Sequence, residues 1–246
     1  MSKLLDRRVT EAAEMRVDGG TDGAPPSIKG YAAVFNSLSL PMMGFRETIM
    51  PGAFKKTLRE ADVRALMNHD PNYVLGRSSA GTLTLAEDQK GLRYSIDPPD
   101  TNFARDLMTS IKRGDVTQSS FGFNVVRDRF TQENDVITRT LLEVRLFDVS
   151  PVTFPAYPQT EVSVRSLMEY LAIKTAGGAE LDVEERTAII RLLDVLKQSY
   201  ETEPVARHSD AGRDEPWHAR RAAHSQEETL HYIAVARKRM ECLLVG

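Results

Sequence analysis

The chain of 246 residues carries 32 basic and 35 acidic side chains for a net charge of −3, and 41% of it is hydrophobic. These proportions suit a protein with one sizeable core and argue against a fibrous or disordered chain. With no sustained Lys/Arg block and no apolar run near the roughly 18 residues of a membrane span, neither nucleic acid nor a membrane is an expected partner. The single cysteine, Cys242, excludes an internal disulfide framework and a Cys-rich metal site. The N-terminus lacks the apolar stretch of a signal peptide, so an intracellular protein is expected.

In chain order, residues 1–27 end in GGTDGAPPS and read as a flexible leader. Residues 28–165 form the strand-rich part. KGYAAVFNS reads as a strand, and RETIMPGAFKKTLRE turns at Pro-Gly into a short helix from about Gly52 to Glu60. DVRALMNHD alternates, with Val63, Ala65, Met67 and His69 on one face, and ends at an Asp70-Pro71 turn. GTLTLAED and GLRYSIDPP pair as a hairpin, and TNFARDLMTSIKRGD has the spacing of a helix that stops at Gly114. Two further strands, SSFGFNVVRDRF and TRTLLEVRLFDVSPVTF, complete this region. Residues 166–246 lose the strand pattern. SLMEYLAIKTA, LDVEERTAIIRLLDVLKQSY and SQEETLHYIAVARKRMECLLV are amphipathic helix patterns, and such helices need a surface to cover. They are expected to form a targeting or interaction tail. The exposed small-residue linkers, from Lys174 to Glu180 and before Ile28, are where self-cleavage is expected.

Three residues could carry chemistry. In QSSFGF, alternation places Ser119 with Phe121 and Phe123, and Ser120 on the opposite face with Gly122, where a missing side chain leaves room for a substrate backbone. A serine there is also compatible with a plain surface hydroxyl. His69 is the one histidine of residues 28–165, since His208, His218, His224 and His231 all fall in the tail. An imidazole with an ordinary pKa of about 6.5 can take a proton from a serine near neutral pH, although a capping histidine fits the same position. Asp148 ends the apolar row Leu142, Val144, Leu146. Buried there it needs a partner such as an imidazole N–H; solvated, it would be a turn residue. Glu143, Asp70 and Glu161 are lesser candidates for the acid. The tail histidines lack zinc-ligand spacing, so no metal is expected, and with no phosphate-binding loop or dinucleotide fingerprint no cofactor is expected.

The segments GYAAVFN, FRETIMPGAF, DVRALMNHDPNYVLGR, GTLTLAED, DTNFARDLMTSIKRGDVTQSSFGF and LLEVRLFDVSPVTFPAYP run in order from Gly30 to about Pro158. Together they resemble the prohead protease family of tailed bacteriophages, which is related in fold to the herpesvirus maturation serine proteases. The resemblance implies an α+β fold: a small closed or nearly closed β-barrel surrounded by helices, followed here by a mostly helical C-terminal extension. It assigns the catalytic base to His69 and the nucleophile to Ser120, with Asp148 fitting the third place. It further implies a serine endopeptidase in the host cytoplasm, inside the viral procapsid. Its substrates would be scaffold protein, the scaffold-like arm of the major capsid protein, and itself. A homodimer is left open. The competing readings are a catalytically silent assembly module with a protease fold and an acyl-transfer hydrolase; against the latter, the chain has no G-x-S-x-G elbow around Ser120.

Overall fold

Period-two alternation over most of the first 152 residues produces, among the described residues, ten strands, arranged in the computed structural model as two sheets. The structure describes residues 6–10, 13–19, 25–39, 41, 45–134, 136–154 and 181–202, and in the C-terminal stretch 230, 231, 233–238 and 241. The strands are β1 (Asp6–Thr10), β2 (Arg16–Asp18), β3 (Ser27–Val34), β4 (Phe45–Ile49), β5 (Arg64–Met67), β6 (Asp70–Arg77), β7 (Leu83–Glu87), β8 (Gly91–Ile96), β9 (Gln118–Glu133) and β10 (Val136–Val152). Among the described residues, the helices given by their full bounds are α1 (Thr57–Glu60), α2 (Asn102–Arg113) and α3 (Val183–Thr202).

One sheet has six strands in the order β1-β9-β10-β5-β6, with β4 also on β10; the other has four, in the order β2-β3-β8-β7. The chain divides into two compact units. In the first, both sheets contribute to one core. Ile28, Leu92 and Ile96 come from the four-stranded sheet, Phe121, Phe123 and Leu146 from the six-stranded one, and Leu107 and Ile111 from α2. Phe54 meets Phe121 edge-on at 5.7 Å and Phe121 stacks on Phe123 at 4.8 Å, arrangements that aromatic quadrupoles favour. Helix α2 ends where Gly114 takes the left-handed conformation (φ +83°), and the Gly114 and Asp115 amides close on the Ile111 and Ser110 carbonyls. The second unit comprises 40–46, 130–139 and 159–246. There Phe45, Phe130 and Ile137 pack with Ile189, Leu192 and Leu193 of α3.

The expected barrel is not what forms. Among the described residues both sheets are open: the six-stranded one ends at β1 and β6, the four-stranded one at β2 and β7, and the protein is mostly sheet with few helices rather than a barrel ringed by them. Closure requires the first and last strands of a sheet to pair. Alternation reports which face of a strand is buried, not which edges join, and the barrel came from the resemblance alone. The hairpin β7/β8 and helix α2 form where the spacing places them. Helix α3 covers most of LDVEERTAIIRLLDVLKQSY. The SLMEYLAIKTA pattern and Cys242 lie outside the described residues, and the last pattern is helical at 230, 231, 233–238 and 241.

Candidate active site

Strand β10 is the axis of the site. Along its first part the segment Met50–Thr57 supplies partners: Met50 N–H bonds to Leu141 O, Val144 N–H to Ala53 O, and Leu146 N–H to Thr57 Oγ1. From Asp148 onward β5 takes over as a parallel neighbour, with Asp148 opposite Arg64 and Val149 opposite Ala65. Val144, Leu146, Asp148 and Ser150 are all buried, so the apolar row does carry a carboxylate into the interior.

His69 reaches that carboxylate from a tight turn. Met67 pairs with Asp70, which leaves Asn68 and His69 as a two-residue loop with φ of +54° and +58°. Positive φ at both central positions is the type I′ hairpin, whose twist matches the flanking strands, and Asn and His tolerate it better than most residues. The turn therefore falls two positions before the expected Asp70-Pro71. Pro71, which has no N–H to give a ladder, lies where the β5/β6 register shifts. The loop is tied to the end of β10. Asn68 N–H donates to Pro151 O at 3.0 Å, Asn68 Nδ2 donates to Thr153 Oγ1 at 2.9 Å, and Thr153 N–H donates to Asn68 Oδ1 at 2.9 Å.

Across β10 lies β9, which bears the two serines. Ser120 Oγ is 2.7 Å from His69 Nε2, and His69 Nδ1 is 2.5 Å from Asp148 Oδ2. Next to a carboxylate, Nδ1 holds the proton and Nε2 is left free to accept the hydroxyl's. Ser150 Oγ donates to the same Asp148 Oδ2 at 2.8 Å. The network is thus Ser120–His69–Asp148–Ser150, with the His69 and Asp148 side chains 5% and 6% exposed and Ser120 fully buried.

Ser119 points the other way. Its Oγ shares a 2.7 Å hydrogen bond with the Tyr94 hydroxyl, and burial pushes the Tyr94 phenol up to about 12, so that partner stays neutral and offers no base. The expectation that Ser119 and Ser120 face opposite sides holds. Both faces of β9 are buried at this point, since neither serine has exposed surface.

Of the other candidate acids, Glu143 pairs with Lys56 at 3.3 Å, Asp70 accepts from Asn72 N–H and Nδ2 at 2.9 Å, and Glu161 lies outside the described residues. Ser150, Asn68, Thr153 and Tyr94 were missed. Ser150 was within reach, since it continues the period-two row from Asp148. A cavity of about 480 Å³ opens beside the turn, lined by Met67, Asn68, Tyr73, Phe103, Leu107 and Thr153 among others, but neither Ser120 nor Asp148 lines it.

Among solved structures, the bacteriophage T4 capsid assembly protease, gp21, aligns with a TM-score of 0.39 and 13% identity over 61% of this chain and 99% of that one. No curated protein matches. The profile of the Caudovirus prohead serine protease family matches residues 11–172, more than half of the sequence, and the chain belongs to that family.

Proposed function

We propose that this phage prohead protease is a serine endopeptidase in which Ser120 is the nucleophile, His69 the general base and Asp148 the residue that orients the imidazole. It cleaves scaffold protein or the scaffold-like arm of the major capsid protein, and itself, inside the procapsid. The observation that carries the reading is the pair of contacts on one ring, 2.7 Å from Ser120 Oγ to Nε2 and 2.5 Å from Nδ1 to Asp148 Oδ2. As Oγ bonds to the peptide carbonyl carbon, its proton passes to Nε2, and the imidazolium so formed is held by the Asp148 carboxylate. The same proton then goes to the leaving amine as the C–N bond breaks. Water then gives a proton to His69 as its oxygen bonds to the acyl carbon, and the imidazolium returns that proton to Ser120 Oγ as the C–Oγ bond breaks and the acid product leaves. Ser150, donating to Oδ2, fixes the acid as the acid fixes the ring.

The helical tail is assigned to recruitment onto scaffold or capsid. The test is incubation of the purified protein with its procapsids, alongside Ser120→Ala. Scaffold or capsid-arm fragments should appear with the unaltered protein and not with the variant. Equal cleavage by both would refute the assignment.

A further inference from the structure

The nucleophile is covered, and the strand opposite it is named by the register. Ser120 is fully buried, and its partner across the ladder is Val9 of β1, with Arg8 opposite Phe121 and Arg7 opposite Gly122. Strand β1 is the outermost of its sheet, and the part of the chain matched by the family begins at residue 11, just after it. Without β1, the stretch of β9 from Ser119 to Phe123 would present backbone N–H and C=O groups to an empty edge beside the hydroxyl. Such an edge is what an extended chain pairs with.

We propose that this edge of β9 is the peptide-docking edge of the enzyme, where a substrate segment adds as an antiparallel strand, and that β1 is its resident occupant, which the substrate displaces. The inference rests on Ser120 being the nucleophile. The anchors of β1 show which peptide fits. Arg8 forks onto the buried carboxylate of Glu47 at 2.7 and 3.1 Å, and its guanidinium lies 5.4 Å from the centre of the Phe123 ring. Thr10 Oγ1 donates to Ala32 O at 2.6 Å. A forked, charge-assisted pair combined with a cation–π contact is specific for arginine. Alternation puts Arg8 on the aromatic face, away from Ser120. The docking segment is therefore an extended peptide with an arginine immediately N-terminal to the residue that lies across from Ser120.

The test is the rate at which a fluorophosphonate, a small serine-directed probe, labels Ser120 in the full chain, in Arg8→Glu, in the milder Arg8→Gln, and in a chain lacking residues 1–10. Loosening β1 should speed labelling by roughly ten- to a hundredfold in Arg8→Glu, the range for losing a charge-assisted bond, and by less in Arg8→Gln. The shortened chain should label at least as fast as Arg8→Glu. A synthetic peptide of residues 4–12 should slow it again, while the same peptide with Arg8→Glu should not. Folded Arg8→Gln and Arg8→Glu proteins that label no faster than the unaltered chain would overturn the proposal, and if the shortened chain does not fold those two variants decide. Labelling of Ser120 at one rate in every form would sink the docking edge while leaving the nucleophile in place. Absence of labelling in every form would sink the nucleophile and the docking edge with it.

Discussion

The two faces of β9 near residue 120 are equally buried and chemically opposite. On one, Ser119 bonds to a neutral tyrosine hydroxyl, and Phe121 and Phe123 stack in the core. On the other, Ser120 bonds to an imidazole that is itself bonded to a carboxylate. Neighbouring serines of the same exposure thus differ only in what they touch. The contrast teaches that burial does not separate the two hydroxyls and their hydrogen-bond partners do, which is why the proposed nucleophile is the one that faces the imidazole.

The sharpest way to break the contrast is to remove one hydroxyl at a time. Ser120→Ala or His69→Ala should lower kcat by as much as about a million-fold, as happens when a triad nucleophile or base is lost, whereas Ser119→Ala should retain activity. Asp148→Ala comes next, at roughly ten-thousand-fold, because the acid holds the ring without reacting. Both losses are read from cleavage of one peptide. The other face should answer in stability instead. Tyr94→Phe leaves the buried Ser119 hydroxyl without that partner and should cost about 1 to 3 kcal/mol in denaturant unfolding while leaving kcat near its normal value.

The smallest effect is expected at Asp62, below the β5/β6 hairpin. A side-chain hydrogen bond from Arg77 holds its carboxyl well below the usual carboxylate range, with Ser79 and Arg64 adding to it. A depressed folded pKa contributes stability above the unfolded value of about 4, lost as the pH falls through the folded value. Asp62→Asn should therefore lower the melting temperature slightly at pH 7, with the gap to the unaltered protein closing on acidification. A gap that does not change with pH would rule out the ion pair as its source.

Much of this was legible in short-range pattern. Helix α2, the β7/β8 hairpin and the opposed serine faces follow from spacing, because each is decided within a dozen residues. Asp148 was legible for a similar reason, as a carboxylate at the end of the row Leu142, Val144, Leu146. What escaped depends on partners distant in sequence. The sheet edges were one such case, and nothing near Ser120 discloses that it pairs with Val9 or that a strand lies within the residues read as leader. The Asn68–His69 turn was another. Asp70-Pro71 carries the stronger local turn signal, and Asn68 shows its value only once Thr153 is seen beside it, 85 positions away.

The most direct measurement is peptide mapping of the fluorophosphonate adduct in the unaltered protein, in Ser119→Ala and in His69→Ala. The account predicts the adduct on Ser120 in the first two and little or none in the third, since Ser120 without its base is an ordinary alcohol. An adduct on Ser119, or undiminished labelling of Ser120 in His69→Ala, would contradict it.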